Sequence, residues 1–132
     1  MPIGRLIVIA ASAMLSLAAC RGAERLARFE DATGCYKTES GLALLHISPA
    51  AFVTDARGTE LGIAALRIDG PVSLIEFRPA VVASEDGRRA VRAAASANEH
   101  IIDTLDGETI LGLQGADPNV PGVLLKRFPG LC

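Results

Sequence analysis

The sequence has no tryptophan, a single tyrosine and four phenylalanines. That leaves few flat rings on which nucleobases or sugars could stack. It has no excess of positive charge, with 13 Lys+Arg against 15 Asp+Glu and a formal net charge of −2. A nucleic-acid binder held by phosphate contacts is therefore excluded, and no nucleic-acid partner is expected. It has no Cys-x-x-Cys, no Gly-x-Ser-x-Gly, no Ser-x-x-Lys and no phosphate-binding glycine loop. Its two histidines, His46 and His100, are far apart and in no metal-ligand spacing. No catalytic residue, metal or cofactor is expected from these patterns. The chain is too apolar to be disordered, at 50% hydrophobic residues, and its 132 residues make one domain.

What is present begins with an address. Arg5 precedes a run of 14 residues, Leu6–Ala19, that is apolar except for Ser12 and Ser16. A spanning helix needs about 20 apolar residues, so the run is short for an anchor and fits the core of a secretory signal. It ends in Leu17-Ala18-Ala19-Cys20. These four residues resemble the lipobox of bacterial lipoproteins at every position. The resemblance implies cleavage between Ala19 and Cys20, a diacylglyceryl thioether on Cys20, and acylation of the new amino group by a palmitate-like chain. Two or three acyl chains hold a protein on a membrane far more firmly than one. In enteric members of that family, Asp after the Cys marks retention in the inner membrane. Arg21 stands there, so the resemblance implies the outer membrane, facing the periplasm.

Three parts are therefore expected: a signal peptide at 1–19, a lipidated Cys20 with a tether through residue 33, and a single β domain at 34–132. The tether, Arg21–Thr33, is charged, with Leu26 and Phe29 three apart, and could form a turn or two of helix. Fully extended, it would let the domain stand about 45 Å off a bilayer. Arg5 is the only charged residue of the leader, so the remainder stays slightly acidic. With Cys20 acylated, Cys35 and Cys132 are the pair left in an oxidising compartment, and a structural disulfide between them is expected. A redox pair is the rival.

The domain reads as all-β. Asp69-Gly70, Asp86-Gly87 and Asp106-Gly107 are hairpin signals, and Ser40-Gly41 and Arg57-Gly58 add two more turns. Strands are expected over 34–38, 42–48, 61–68, 72–78, 80–84, 90–97, 100–105, 109–114 and 123–128. Residues 51–54 could be a short strand or a helical turn. This rhythm predicts a small antiparallel meander or barrel. A phase slip in 61–68 predicts a bulge near Ala64-Ala65, with Leu61, Ile63 and Ala65 on one face. Residues 88–97 are ambiguous: Ala and Arg favour helix, while Val91, Ala93, Ala95 and Ala97 could line the inside of a strand.

Candidate chemistry is sparse. Glu76 and Asp103 lie mid-strand between apolar neighbours, and outward orientation is expected for both. An enzyme would require Glu76, Asp103 or His46 inside a pocket with a strongly shifted pKa. Asp117-Pro118-Asn119 offers oxygens but reads as a turn. Arg88, Arg89 and Arg92 form a small basic cluster, expected to be solvated surface. The loop 115–122 is the longest irregular segment and the candidate contact surface. The first expectation is a membrane-anchored envelope lipoprotein whose non-enzymatic domain binds an envelope protein or a cell-wall component. The alternative is a small apolar-ligand carrier. Gly34-Cys35-Tyr36 resembles the Gly-x-Trp of lipocalins at their first strand, with Tyr36 in place of Trp. That resemblance implies a barrel with a cavity, which small inward residues in 88–97 would have to provide.

Overall fold

The computed structural model describes residues 23–132. The leader and Cys20 lie outside the described residues. Eleven strands follow in chain order: β1 (Ala23–Arg25), β2 (Gly34–Lys37), β3 (Ala43–Ile47), β4 (Phe52–Asp55), β5 (Glu60–Asp69), β6 (Val72–Arg78), β7 (Val81–Ala83), β8 (Ala90–Arg92), β9 (Asn98–Leu105), β10 (Glu108–Leu113) and β11 (Val123–Phe128). A single 3₁₀ turn spans Phe29–Ala32. Among the described residues no helix is long and apolar enough to cross a membrane.

The fold is a closed eight-stranded antiparallel barrel. Strands β2 to β6 run as a meander, β6 pairs with β9, and β9 to β11 continue the meander back to β2. Closure removes the free edges that an open sheet of this size would expose. The turns have the chemistry their geometry needs. Leu105 faces Glu108 across a two-residue loop in which Asp106 (φ 53°) and Gly107 (φ 80°) are both left-handed. That is the twist a tight hairpin requires, and Asp and Gly tolerate it best.

Alternation sends one face of each strand inward. Tyr36, Leu45, Ile47, Val53, Ala64, Ile75, Phe77, Ile102, Leu111, Leu113 and Leu125 are buried in one continuous core. Cross-strand register aligns them: Tyr36 with Leu45, Ala64 with Phe77, Ile102 with Leu111, and Leu111 with Leu125. The bulge predicted at Ala64-Ala65 is not there. β5 pairs with β6 without a slip from Ile63 to Asp69. The irregularity lies one turn earlier, where Val53 faces Gly62 and Thr54 faces Glu60, leaving Leu61 as the extra residue. Gly62, Ala64 and Leu66 therefore face inward, while Ile63 and Ala65 are exposed. The apolar side chains of Ile63 and Ala65 hid the true phase.

Both mouths of the barrel are covered. At one mouth, residues 23–33 of the segment expected as a tether are part of the domain. β1 pairs with the second half of β9, from Ala23 facing Leu105 to Arg25 facing Asp103. Leu26 is then buried, and its N–H donates to Ser73 Oγ at 2.9 Å. The 3₁₀ turn follows, tied by the Tyr36 hydroxyl, which donates to the Ala32 carbonyl at 2.6 Å, and by Arg127, which donates to the Thr33 carbonyl. Burial pushes the Tyr36 phenol well above its usual range, against a smaller opposing pull from Arg127. Tyr36→Phe would strand a buried carbonyl. A loss of about 1–2 kcal/mol is expected, read as a lower urea midpoint at unchanged slope.

The other mouth is covered by the β7–β8 hairpin. All three residues of β7 are buried. Residues 88–97 are neither helix nor a full strand. Only Ala90–Arg92 pairs, Ala90 is its buried residue, and Ala94 and Ala95 are exposed. The inward face expected for Val91, Ala93, Ala95 and Ala97 does not exist, because this segment caps the barrel instead of forming its wall. Cys35 and Cys132 are joined as a disulfide, with Cα atoms 5.0 Å apart. The last four residues thus return along the outside of β2 and β3, where Cys132 Sγ reaches the Leu45 carbonyl at 3.4 Å.

Candidate functional site

The loop between β10 and β11 opens a recess of about 740 Å³ on the outside of the barrel. Its floor comes from the outward face of the sheet. Leu111 and Leu113 point inward, so Gly112 between them points out. Gly112 is level with Leu124 on β11, and an added Cβ would meet nothing nearer than the Ile101 carbonyl at 4.0 Å. Ile101 and Leu124 are 53% and 68% exposed. A residue without a side chain between two exposed aliphatic ones makes a shallow apolar channel. The loop residues Ala116, Asp117 and Pro118 form the upper wall.

The loop itself is tightly determined. The Asp117 carboxylate accepts the Asn119 N–H at 2.8 Å, and the Asp117 carbonyl accepts the Val120 N–H at 3.0 Å. The Asp-Pro-Asn oxygens are therefore spent on a turn. A Cβ on Gly115 would sit 2.2 Å from the Val120 carbonyl oxygen, so no side chain fits there without reshaping the loop.

His100 anchors the base of this recess from inside. It is fully buried on β9, with its ring 5.2 Å from that of Phe77. The Gln114 N–H donates to Nδ1 at 3.1 Å, which leaves Nε2 to donate to the Val81 carbonyl at 3.0 Å. One neutral tautomer thus ties the β7 plug to the start of the loop. On the other side, the Gln114 carbonyl accepts the Ala83 N–H at 2.8 Å. Burial lowers the His100 pKa to about 4, against a smaller opposing effect of the Val81 carbonyl. Asn98 completes the clasp, with its amide reaching both the N–H and the carbonyl of Val81.

The other candidates scatter. His46 is half-buried on the outside of β3, level with Cys35 and Thr54. Glu76 points outward and pairs with Arg78 at 3.1 Å, while the neighbouring Glu99 pairs with Arg67. Removing Arg78 by Arg78→Ala should change stability by less than about 1 kcal/mol in thermal unfolding, since such pairs are well solvated. Asp103 lies where β9 changes partner from β6 to β1, with Oδ1 3.3 Å from Ser73 Oγ. Its carboxyl is raised above the usual range by desolvation, against hydrogen bonds from Ser73. Ser73 is committed elsewhere too, donating to the Ile102 carbonyl. No histidine joins this pair. The basic cluster divides: Arg92 donates to the Leu61 carbonyl at 3.0 Å, while Arg88 and Arg89 stay exposed on the hairpin turn. Among the described residues no three His, Cys, Asp or Glu side chains converge as metal ligands.

The sequence picked out the 115–122 loop but missed Gly112, Ile101, Leu124 and the role of His100. Only the register of three strands sets these residues side by side. What the residues define is a filled, doubly capped antiparallel barrel with a recess on its outer wall. No family model matches this chain, and no curated protein or solved structure is detectably similar to it.

Proposed function

We propose that the chain is an envelope lipoprotein, acylated on Cys20, whose barrel is a binding module for a protein or cell-wall partner. The anchor rests on Leu17-Ala18-Ala19-Cys20 after its apolar run. The observation that favours a binding module over a carrier is where the space lies. The interior is occupied by Tyr36, Phe77 and a set of Leu and Ile side chains, both mouths are covered, and the recess at Gly112 is outside. A carrier would need the reverse, an enclosed volume reached through an open mouth. The recess takes an apolar side chain over Gly112 and beside Leu124.

Two measurements test this. Mass spectrometry of protein extracted from membranes, after expression with its own leader, should find a chain starting at Cys20 and carrying acyl mass. An unacylated soluble chain would refute the anchor. For the module, a photo-crosslinking residue placed at Ala116 in living cells should give a discrete adduct. The same probe in a Gly115→Val background should lose it, while thermal unfolding shows the barrel intact. A probe at Ala116 that gives no adduct, or one indifferent to Gly115→Val, would remove the recess from consideration.

A further inference from the structure

We infer that the barrel lies against the bilayer by the rim that carries Ile68 and Leu105, and presents the recess to the opposite side. The inference rests on acylation of Cys20. Between Cys20 and the first residue of β1 there are only Arg21 and Gly22. Three residue steps reach roughly 11 Å at most. Residues 23–33 of the expected tether belong to the fold, so the barrel cannot stand off.

The position of β1 then decides which rim is near the lipid. β1 pairs with the end of β9 that runs into the Asp106-Gly107 turn, with Ala23 facing Leu105. The β5–β6 turn is at the same rim, since Arg25 donates to the Gly70 carbonyl at 2.6 Å. Ile68 and Leu105 are each 44% exposed there. Both are aliphatic residues in strands, and the barrel itself gives no partner to their exposed area. Ile68 at the inner lip and Leu105 on the outer wall put two exposed aliphatic side chains on one rim, with Arg25 and the exposed Asp69 and Asp106 at its polar edge. At the point where an acylated chain would emerge, such a rim fits the headgroup and upper acyl region of a bilayer.

The recess lies at the far rim. β9 rises from Asn98, beside the β7 plug, to Leu105, a climb of roughly 18 Å once strand tilt is allowed for. Loop 115–122 and the β7–β8 hairpin share the Asn98 end. Anchored this way, the recess faces the aqueous compartment and can meet a partner that is not itself in the membrane.

The chain contains no tryptophan, which makes the test clean. Single variants Leu105→Trp, Ile68→Trp and Ala116→Trp, expressed with the leader and extracted from membranes, are reconstituted into phosphatidylcholine vesicles. Half of the preparations carry bromine on the acyl chains as a quencher. Leu105→Trp and Ile68→Trp should emit at shorter wavelength and lose emission with brominated lipid, and Ala116→Trp should do neither. Mass spectrometry of the same samples separates the two ways to fail. Protein without acyl mass overturns the lipoprotein reading and this inference with it. Acylated protein whose Leu105→Trp and Ile68→Trp are unquenched, or whose Ala116→Trp is quenched as strongly, overturns the orientation alone.

Discussion

A Cys35→Ser, Cys132→Ser double variant is expected to lose roughly 4–5 kcal/mol of stability in the chain-entropy account of disulfides. The two cysteines are 97 residues apart, so the bond closes nearly the whole domain into one loop. Long loops restrict the unfolded chain most, and small domains have only about 5–15 kcal/mol in total. The variant should therefore unfold at much lower urea than the oxidised protein. Dithiothreitol treatment of the wild type should reproduce the shift. A change of less than about 1 kcal/mol would mean that the unfolded chain is already compact, or that the β2–β11 pairing holds the ends without help. The single variant Cys132→Ser adds a separate readout. It frees the four residues that follow β11 from the outside of β2 and β3, and amide exchange in β3 should then rise.

Acid should weaken the barrel through His100. The unfolded chain takes up this proton near pH 6.5, and the folded protein resists it until about pH 4. Stability is thus intact above 6.5 and falls as the pH drops towards 4, by about 3 kcal/mol over the window. Below 4 the loss is complete, because both states are then protonated. The geometry says what gives way. A protonated ring cannot accept the Gln114 N–H, so the contact from the start of the loop breaks while the one to Val81 survives. His100→Gln keeps an amide donor for Val81 and an amide oxygen as acceptor but cannot take up a proton, and should flatten the pH dependence between 6.5 and 4. Urea midpoints of both proteins at a series of pH values would measure it. A wild-type curve as flat as that of the variant would show that His100 is not held neutral.

Much of the barrel is legible in the sequence. The turn pairs locate the hairpins, and strands β6 and β11 fall at their expected bounds of 72–78 and 123–128. Alternation is a local property, and local residues suffice to read it. The covers of the two mouths are not local. Leu26 and Phe29 in a charged stretch look like a tether, and their value becomes visible only against the opening left by β2, β6 and β9. The Ala-rich 88–97 segment misleads for a similar reason: its propensity speaks for helix, while its place is decided by Asn98 and His100 clasping Val81. His100 itself gives no signal, since a histidine opening a strand is as readily outside as in. The loop 115–122 is evident from its glycines and prolines. The channel beneath it is not, because Ile101, Gly112 and Leu124 come together through pairings between three strands.

The way the barrel closes sets an order of assembly. β2, among the first strands to emerge from any N-to-C process, has β11 as one of its two neighbours, with Cys35 facing Phe128. β1 likewise has to wait for the second half of β9. Each earlier intermediate therefore carries open strand edges, the feature most prone to pair with the wrong chain. A chain threaded through a membrane pore would complete its barrel only after nearly all of it had crossed. Folding of an incomplete chain is then discouraged by topology alone, and its open edges need shielding until the last strand arrives.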